Sequence, residues 1–335
     1  MDGAANTAAD AAAGEIAHGG RLAEARRRFP DAPEPFIVLS TGINPVPYPF
    51  SPLLPEAFTR LPVPEALWAL QSAAAARYGV ADPAMVAAAP GTQVLINLLP
   101  RLFPQARVSV LGPTYAEHAA CWSAAGAEVR AVTRFDELGG DAAVVCNPNN
   151  PDGSRHAPAD LLALAGRSRL LVVDEAFADF EGSGLSLAPY LPHSNVIVLR
   201  SFGKAYGLAG VRLGFALASA RTASVIREAL GPWAVSGPAI QIGTQALADA
   251  EWVGRTARQR EASVARLDVL LGGMGRVLGG TSLFRLLEAP DAMASFEKLG
   301  RVGILVRRFN DRPQALRFGI PAEGQWHRLE AQIRV

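Results

Sequence analysis

The sequence predicts an α/β protein, with a mostly parallel sheet between helices and a smaller α+β unit towards its C-terminal end. Three observations predict it. Short, β-branched, nearly continuous apolar runs recur between residues 107 and 218. Helical stretches such as 115–125 and 158–166 separate several of them. After residue 220 the texture changes to long helices followed by a few late strands. Strands that are apolar on both faces and alternate with helices are covered on both sides, which is the pattern of parallel sheets.

The first residues, "MDGAANTAADAAAGE", are alanine-rich, carry acids and have no basic start, so they predict a loose tail rather than a secretory signal. From Pro30 to Pro64 prolines recur so closely that the chain must run extended and irregular. The runs "RVSVLGP", "AEVRAV", "DAAVVCNP", "RLLVVDEAF", "NVIVLRSF" and "RLGFALA" are the strands. A helical region at roughly 239–272 has few breakers. "TSLFRLLEA", a helix near 291–299, "GILVRRF" and "ALRFGIP" then read as a small α+β unit. The expected division is an N-terminal arm over 1–45 that belongs partly to the small unit, a large domain over 46–225, and an inter-domain helix with the small domain over 226–335.

Composition narrows the function classes. Of 335 residues, 50% are apolar and 19% charged, with 32 Lys+Arg against 31 Asp+Glu. That balance, with arginines scattered among acids, argues against a nucleic-acid partner. No run approaches the ~18 apolar residues of a membrane span. Cys121 and Cys146 form neither a disulfide framework nor a metal spacing, and their apolar surroundings predict buried structural thiols. The expectation is a cytoplasmic protein acting on a small molecule.

In open parallel sheets ligands bind beyond the carboxyl ends of the strands. After "AAVV" comes "CNPNNPDG"; after "RLLVV" comes "DEAF"; after "NVIVLR" comes "SFGK". Three strand ends thus deliver an Asn-rich turn, a carboxylate (Asp174) and a lysine (Lys204). The chain has only one other lysine, Lys298. Taken singly, each is ordinary: a turn, a strand-end cap, a surface cation. Together they point to one cleft.

A lysine there is either a point charge for phosphate or a covalent amine. The phosphate-loop spacing GxxxxGK[ST] is missing. A carboxylate at a buried strand end needs a cationic partner, and the protonated pyridine nitrogen of pyridoxal phosphate supplies one. Lys204 would then hold the cofactor covalently. Asn150 is placed to donate to the ring's 3-oxygen. Ser201 and Arg212, with backbone N–H groups near Gly91, Thr92 and Gln93 at the start of a helix, suit the cofactor phosphate. Tyr115 suits stacking on the ring.

These motifs, "NNPDG", "DEAF", "SFGKAYGLAGVRLGF" and "LRFGIP" in that order, resemble the fold-type I pyridoxal-phosphate enzymes of the class I/II aminotransferase type. The resemblance spans nearly the whole chain. It implies a large domain with a seven-stranded, mostly parallel sheet, a smaller α+β domain, and a homodimer with active sites at the subunit interface. It implies the roles just given for Lys204, Asn150, Asp174, Ser201 and Arg212, and makes Arg317 the binder of the substrate's α-carboxylate. The front end, "HGGRLAEARRRFP" and "PFIVLSTGINPVPYP", resembles the cobalamin-pathway branch, the threonine-phosphate decarboxylases. That implies L-threonine O-3-phosphate as substrate and CO2 with (R)-1-aminopropan-2-yl phosphate as products. Histidinol-phosphate aminotransferases are the alternative.

Two positions depart from the family pattern. Phe177 stands where many members have a tyrosine touching the ring's 3-oxygen, and Leu61 where a tyrosine often crosses the dimer to the phosphate. For a doubly anionic substrate, Arg307 and Arg308 alternate along a strand, so only one points into the site. His18 is either a lid residue that folds over the site or a solvent-exposed tail histidine, Asn44 either contacts the carboxylate or serves a turn, and Tyr48 is placed to help close the site. Decarboxylation or transamination depends on which substrate bond stands perpendicular to the ring. The residue types leave that angle open.

Overall fold

The computed structural model describes residues 19–182 and 184–333. The first strand, β1 (Ile37–Val38), is followed by seven strands: β2 (Val86–Ala89), β3 (Arg107–Leu111), β4 (Glu128–Val132), β5 (Gly140–Cys146), β6 (Ser168–Asp174), β7 (Val196–Ser201) and β8 (Gly214–Leu217). These seven make one sheet in the order β2-β8-β7-β6-β5-β3-β4. From β7 to β4 all neighbours run parallel, whereas β8 is antiparallel to both β7 and β2. The six runs read from the sequence are strands β3 to β8. The seventh, β2, is "VAAA", whose alanines carry no β-branched signal; it is a strand because all four residues are buried beside β8.

The sheet has two apolar faces because side chains alternate. Val145, Leu171, Val173, Val196 and Val198 face one core. Val144, Leu170, Val172, Ile197 and Leu199 face the other. Carried one step past the strands, this period of two decides which residues reach the cleft.

A second sheet is antiparallel, in the order β12-β13-β10-β9: β9 (Arg276–Thr281), β10 (Phe284–Glu288), β12 (Arg307–Arg308) and β13 (Ala315–Gly319). The short β11 (Ile304–Leu305) pairs in parallel with β1. Phe29, Phe36, Ile37 and Leu39 share a core with Phe296, Leu316, Phe318 and Trp326, so this stretch of the N-terminal arm packs with the C-terminal strands and helices.

The expected helical region at 239–272 is two helices, Gly237–Ala248 and Ala250–Leu271. The break is at Asp249. Its carboxylate accepts from the Trp252 N–H at 2.8 Å and caps the second helix. Among the described residues no helix is long and apolar enough to cross a membrane.

Candidate active site

One cleft of about 370 Å³ opens at the carboxyl ends of β5, β6 and β7. Gly91, Thr92, Gln93, Tyr115, Asn150, Asp174, Ser201, Lys204, Arg212 and Arg317 all line it. Ten of the residues proposed from sequence thus meet in one place, drawn from segments up to 226 positions apart (317 minus 91).

Asp174 ends β6 on the face that carries Val172, and Cys146 ends the adjacent β5 on the same face, in register with it. His118, on the helix Glu117–Ala124, closes the group, its Nε2 2.9 Å from Asp174 Oδ2. Burial alone would push the Asp174 carboxyl up, but the His118 ring and the Lys204 amine outweigh it and hold the group below the ordinary carboxylate range. Burial favours a neutral His118, but the Cys146 sulfur and the Asp174 carboxylate outweigh it and push the imidazole up to about 10. Each of the two groups thus favours the charged form of the other. Sequence reading missed His118. The one signal is its place in "TYAEH", three residues after Tyr115 where the chain turns into the helix; the two rings meet edge to face at 6.1 Å.

Lys204 sits in the one-turn helix Phe202–Ala205 that follows β7. Its amine donates to Ser201 Oγ over a long 3.4 Å and stands 4.9 Å from the centre of the Phe177 ring. Burial lowers the amine below the ordinary lysine value, with Asp174 opposing and Arg317 and Arg212 adding to the effect. A lysine so placed is more easily deprotonated, which is what a covalent amine or proton carrier needs.

Ser201, next to the Lys204 amine, lines the cleft with Arg212 and the N-terminus of the helix Thr92–Leu102. Arg212 has the left-handed φ of 55°, which is uncommon for a residue with a side chain. Gly91 has a φ of +90°, a conformation that residues with a side chain rarely adopt, and its Cα lies against the Arg212 guanidinium. Guanidinium and helix N-terminus are thereby held against one another, the arrangement that suits a phosphate dianion.

Arg317, on β13, enters from the second sheet. It is 7% exposed, donates to Asn150 Oδ1, and donates to the Ser40 carbonyl at 2.8 Å. Burial, with Arg307 nearby, pulls its guanidinium down to about 9. Because Asn150 accepts from Arg317 through its oxygen, its amide N–H groups are the part left to donate. The Tyr115 hydroxyl donates to Gln93 at 2.9 Å, which fixes the ring at the cleft wall.

Some expected residues lie elsewhere. His18 is outside the described residues. Asn44 is 2% exposed and does not line the cleft: its amide donates to the Ala205 carbonyl at 2.8 Å and its oxygen accepts from Val46 N–H at 3.1 Å. It latches the Lys204 segment instead of facing a substrate, because both ends of its side chain are engaged by backbone. Tyr48 does not close the site either. It packs edge-on against Tyr206 and Trp252, 3.4 Å from Asp249. Arg307 and Arg308 both line an adjoining cleft that shares Tyr115, Asn150 and Arg317 with the main one. Arg307 is the one whose charge reaches Arg317, while Arg308 lies over Phe296 at 5.6 Å. Cys146 is buried but lines the main cleft, and Cys121 is only partly buried, with its thiol 2.8 Å from Asn97 Oδ1. The expected burial thus holds for Cys146, which also reaches the cleft, and not for Cys121.

Pyridoxal phosphate, the cofactor of the resemblance, fits this donor set. A buried carboxylate–imidazole pair, a lysine amine and a cationic helix N-terminus line one cleft, and a Cβ on Gly91 would intrude on the last.

Known proteins of the same architecture agree with that fit. Residues 55–324 match the model of the family described as aminotransferase class I and II. A threonine-phosphate decarboxylase from Sinorhizobium sp is 43% identical over 91% of this chain and 93% of its own length. One from Pseudomonas aeruginosa is 42% identical over 95% of this chain and 97% of its own. The crystal structure of histidinol-phosphate aminotransferase from Sinorhizobium meliloti in complex with pyridoxal-5'-phosphate superposes with a TM-score of 0.79 at 21% identity, covering 95% of this chain and 94% of that one. At that identity the structure shows the shared fold. On the family match and the two relatives, the chain belongs to the aminotransferase class I and II family.

Proposed function

We propose that the protein is a pyridoxal-phosphate-dependent decarboxylase of L-threonine O-3-phosphate, releasing CO2 and (R)-1-aminopropan-2-yl phosphate. The observation that carries the substrate class is cationic: Arg317 is buried in the cleft, and Arg307, Arg308 and Arg312 line the cleft that continues from it. A substrate with both a carboxylate and a phosphate matches such a wall. The relatives of this name, 42–43% identical, support the same substrate.

When bound, pyridoxal phosphate supplies the electron sink for the bond that breaks. Asp174, backed by His118, holds the proton at the ring nitrogen. Ser201, Arg212 and the amides at Gly91, Thr92 and Gln93 bind the phosphate. Asn150 would donate to the ring oxygen, and Tyr115 would line the ring's side of the cleft. Lys204 would hold the cofactor, and its amine is the group that would carry a proton to the substrate's α-carbon. Arg317 and Arg307 orient the two anionic groups of the substrate.

Arg317→Lys keeps the charge but loses the planar fork. It is expected to lower kcat/KM by about ten- to a hundredfold, since one charge-assisted contact is worth about 1.5–3 kcal/mol. Steady-state kinetics with phosphothreonine check this.

The reaction itself is tested by incubating the enzyme with phosphothreonine, with and without 2-oxoglutarate. CO2 release without keto acid supports decarboxylation. Glutamate made only with keto acid overturns it in favour of an aminotransferase.

The same reading includes a homodimer. Leu54, Phe58, Leu61, Val63, Trp68 and Trp233 are exposed large apolar residues, with Phe58 at 68% and Leu61 at 65%. Exposed apolar side chains of this size suit a protein–protein contact, which supports that assembly. A cytoplasmic setting belongs to the reading too, since Cys121 and Cys146 are free thiols.

A further inference from the structure

Behind the cleft lies a second cluster of charges that the proposed chemistry does not use. In the parallel pair of β6 and β7, Asp174 lies opposite Leu199. Alternation then places Asp174 and Ser201 on one face of the sheet and Glu175 and Arg200 on the other. Glu175 is fully buried and Arg200 is 3% exposed. Arg200 Nη1 donates to Glu175 Oε2 at 2.8 Å, and its Nη2 lies 2.9 Å from Asp179 Oδ1. Arg77 Nη2 approaches the same Asp179 oxygen at 3.6 Å. Ser186 Oγ and the Leu187 N–H donate to Glu175 at 2.5 and 2.6 Å. Arg77 also donates to the Tyr206 hydroxyl at 3.4 Å, and the Tyr206 ring stacks 4.4 Å from Phe202, the first residue of the Lys204 helix.

Two carboxylates and Arg200 therefore sit in the interior, with the half-buried Arg77 at the edge of the cluster, and the formal charges balance. Each member of the Glu175–Arg200 pair is one residue away from a cleft residue, Asp174 or Ser201. A buried ion pair is a poor source of stability, because apolar residues of similar volume often do as well. Its effect is geometric: the two charges meet at a single separation, and that separation fixes the strand ends that carry them.

We propose that Glu175 and Arg200 are positioning residues that lock the ends of β6 and β7 so that Asp174 and Lys204 face the cofactor at a fixed spacing. This rests on the cofactor roles proposed for those two residues. A misplacement of about 1 Å in such a site costs about a hundredfold in rate.

The test is the charge-balanced double variant Glu175→Gln/Arg200→Met in the full chain. Gln keeps the acceptor for Leu187 N–H, and Arg77 with Asp179 remains a neutral pair. The readouts are the melting temperature, the rate of cofactor loss on dilution, the pH midpoint of the visible absorption band, and kcat with KM. The variant is expected to melt close to wild type, lose cofactor about tenfold faster, titrate its band at a shifted pH, and drop in kcat by about ten- to a hundredfold with KM little changed. Arg200→Lys, which restores one charge contact, should recover part of the band position and of kcat. A double variant with wild-type cofactor retention and band titration overturns the proposal. Should the double variant fail to fold, Arg200→Lys decides: a shifted band at unchanged melting supports positioning, and an unshifted band overturns it. A wild-type chain that shows no band with pyridoxal phosphate would instead reject the cofactor roles of Lys204 and Asp174, a failure seen before any variant is made.

Discussion

Replacing Lys204 with alanine removes the visible absorption of the cofactor-loaded enzyme and lowers turnover by at least about 10³-fold, within the range that positioned proton transfer alone contributes and before the loss of covalent attachment is counted. The effect is large because no other amine can substitute. The chain has one other lysine, Lys298, and it is exposed on the helix Ala292–Arg301 of the second unit. The helix that carries Lys204 is fixed by Asn44, whose amide bonds the Ala205 carbonyl and whose N–H bonds the Lys204 carbonyl at 2.8 Å. The shortened side chain of the variant leaves that frame in place, so the protein should fold normally. A visible spectrum of the loaded variant that matched wild type would remove Lys204 from the chemistry.

Asp174→Ala has the second largest expected effect. The carboxylate is buried against His118, and the His118 charge depends on Cys146 and on it. Without Asp174 the imidazole loses a charge partner and the ring nitrogen of the cofactor loses its anionic neighbour. Removing one partner of a buried pair costs about 3–5 kcal/mol of stability; a loss of that size in the cofactor-bound state corresponds to about 10²- to 10⁴-fold in cofactor retention or rate. Asp174→Asn, which keeps the shape, should fold better and lose nearly as much activity, because the missing quantity is charge. Cofactor retention after gel filtration and kcat with phosphothreonine check both variants. Near-normal turnover in Asp174→Asn would show that the charge at this position is not used.

Much of the cleft was legible because chemistry and period coincide. "NNPDG", "DEAF" and "SFGK" each come directly after a β-branched run, and parallel strands bring the residues at their carboxyl ends to one edge of the sheet. Asp174, Lys204, Asn150, Ser201 and Arg212 could therefore be placed together from sequence. Other residues were illegible for physical reasons. His118 lies on a helix, and its partner is 56 positions away. Cys146 was read as core because its neighbours are apolar, yet its strand end faces the cleft. For Asn44 a ligand contact and a turn role are equally open in the sequence, because whether an amide faces backbone or solvent depends on a turn that residue types do not specify. β2 is four small residues whose extended state comes from pairing with β8 alone.

By itself the sequence determined the alternation of strands and helices, the order of the motifs and the chemical character of the cleft, since side-chain type and a period of two are local properties of the chain. The tertiary structure alone decided that His118 pairs with Asp174, that Arg317 meets Asn150 from another sheet, and that Glu175 and Arg200 pair behind the site. Those depend on distances between segments remote in sequence and on how far burial removes each charge from water. Both are set only when the strands and helices pack.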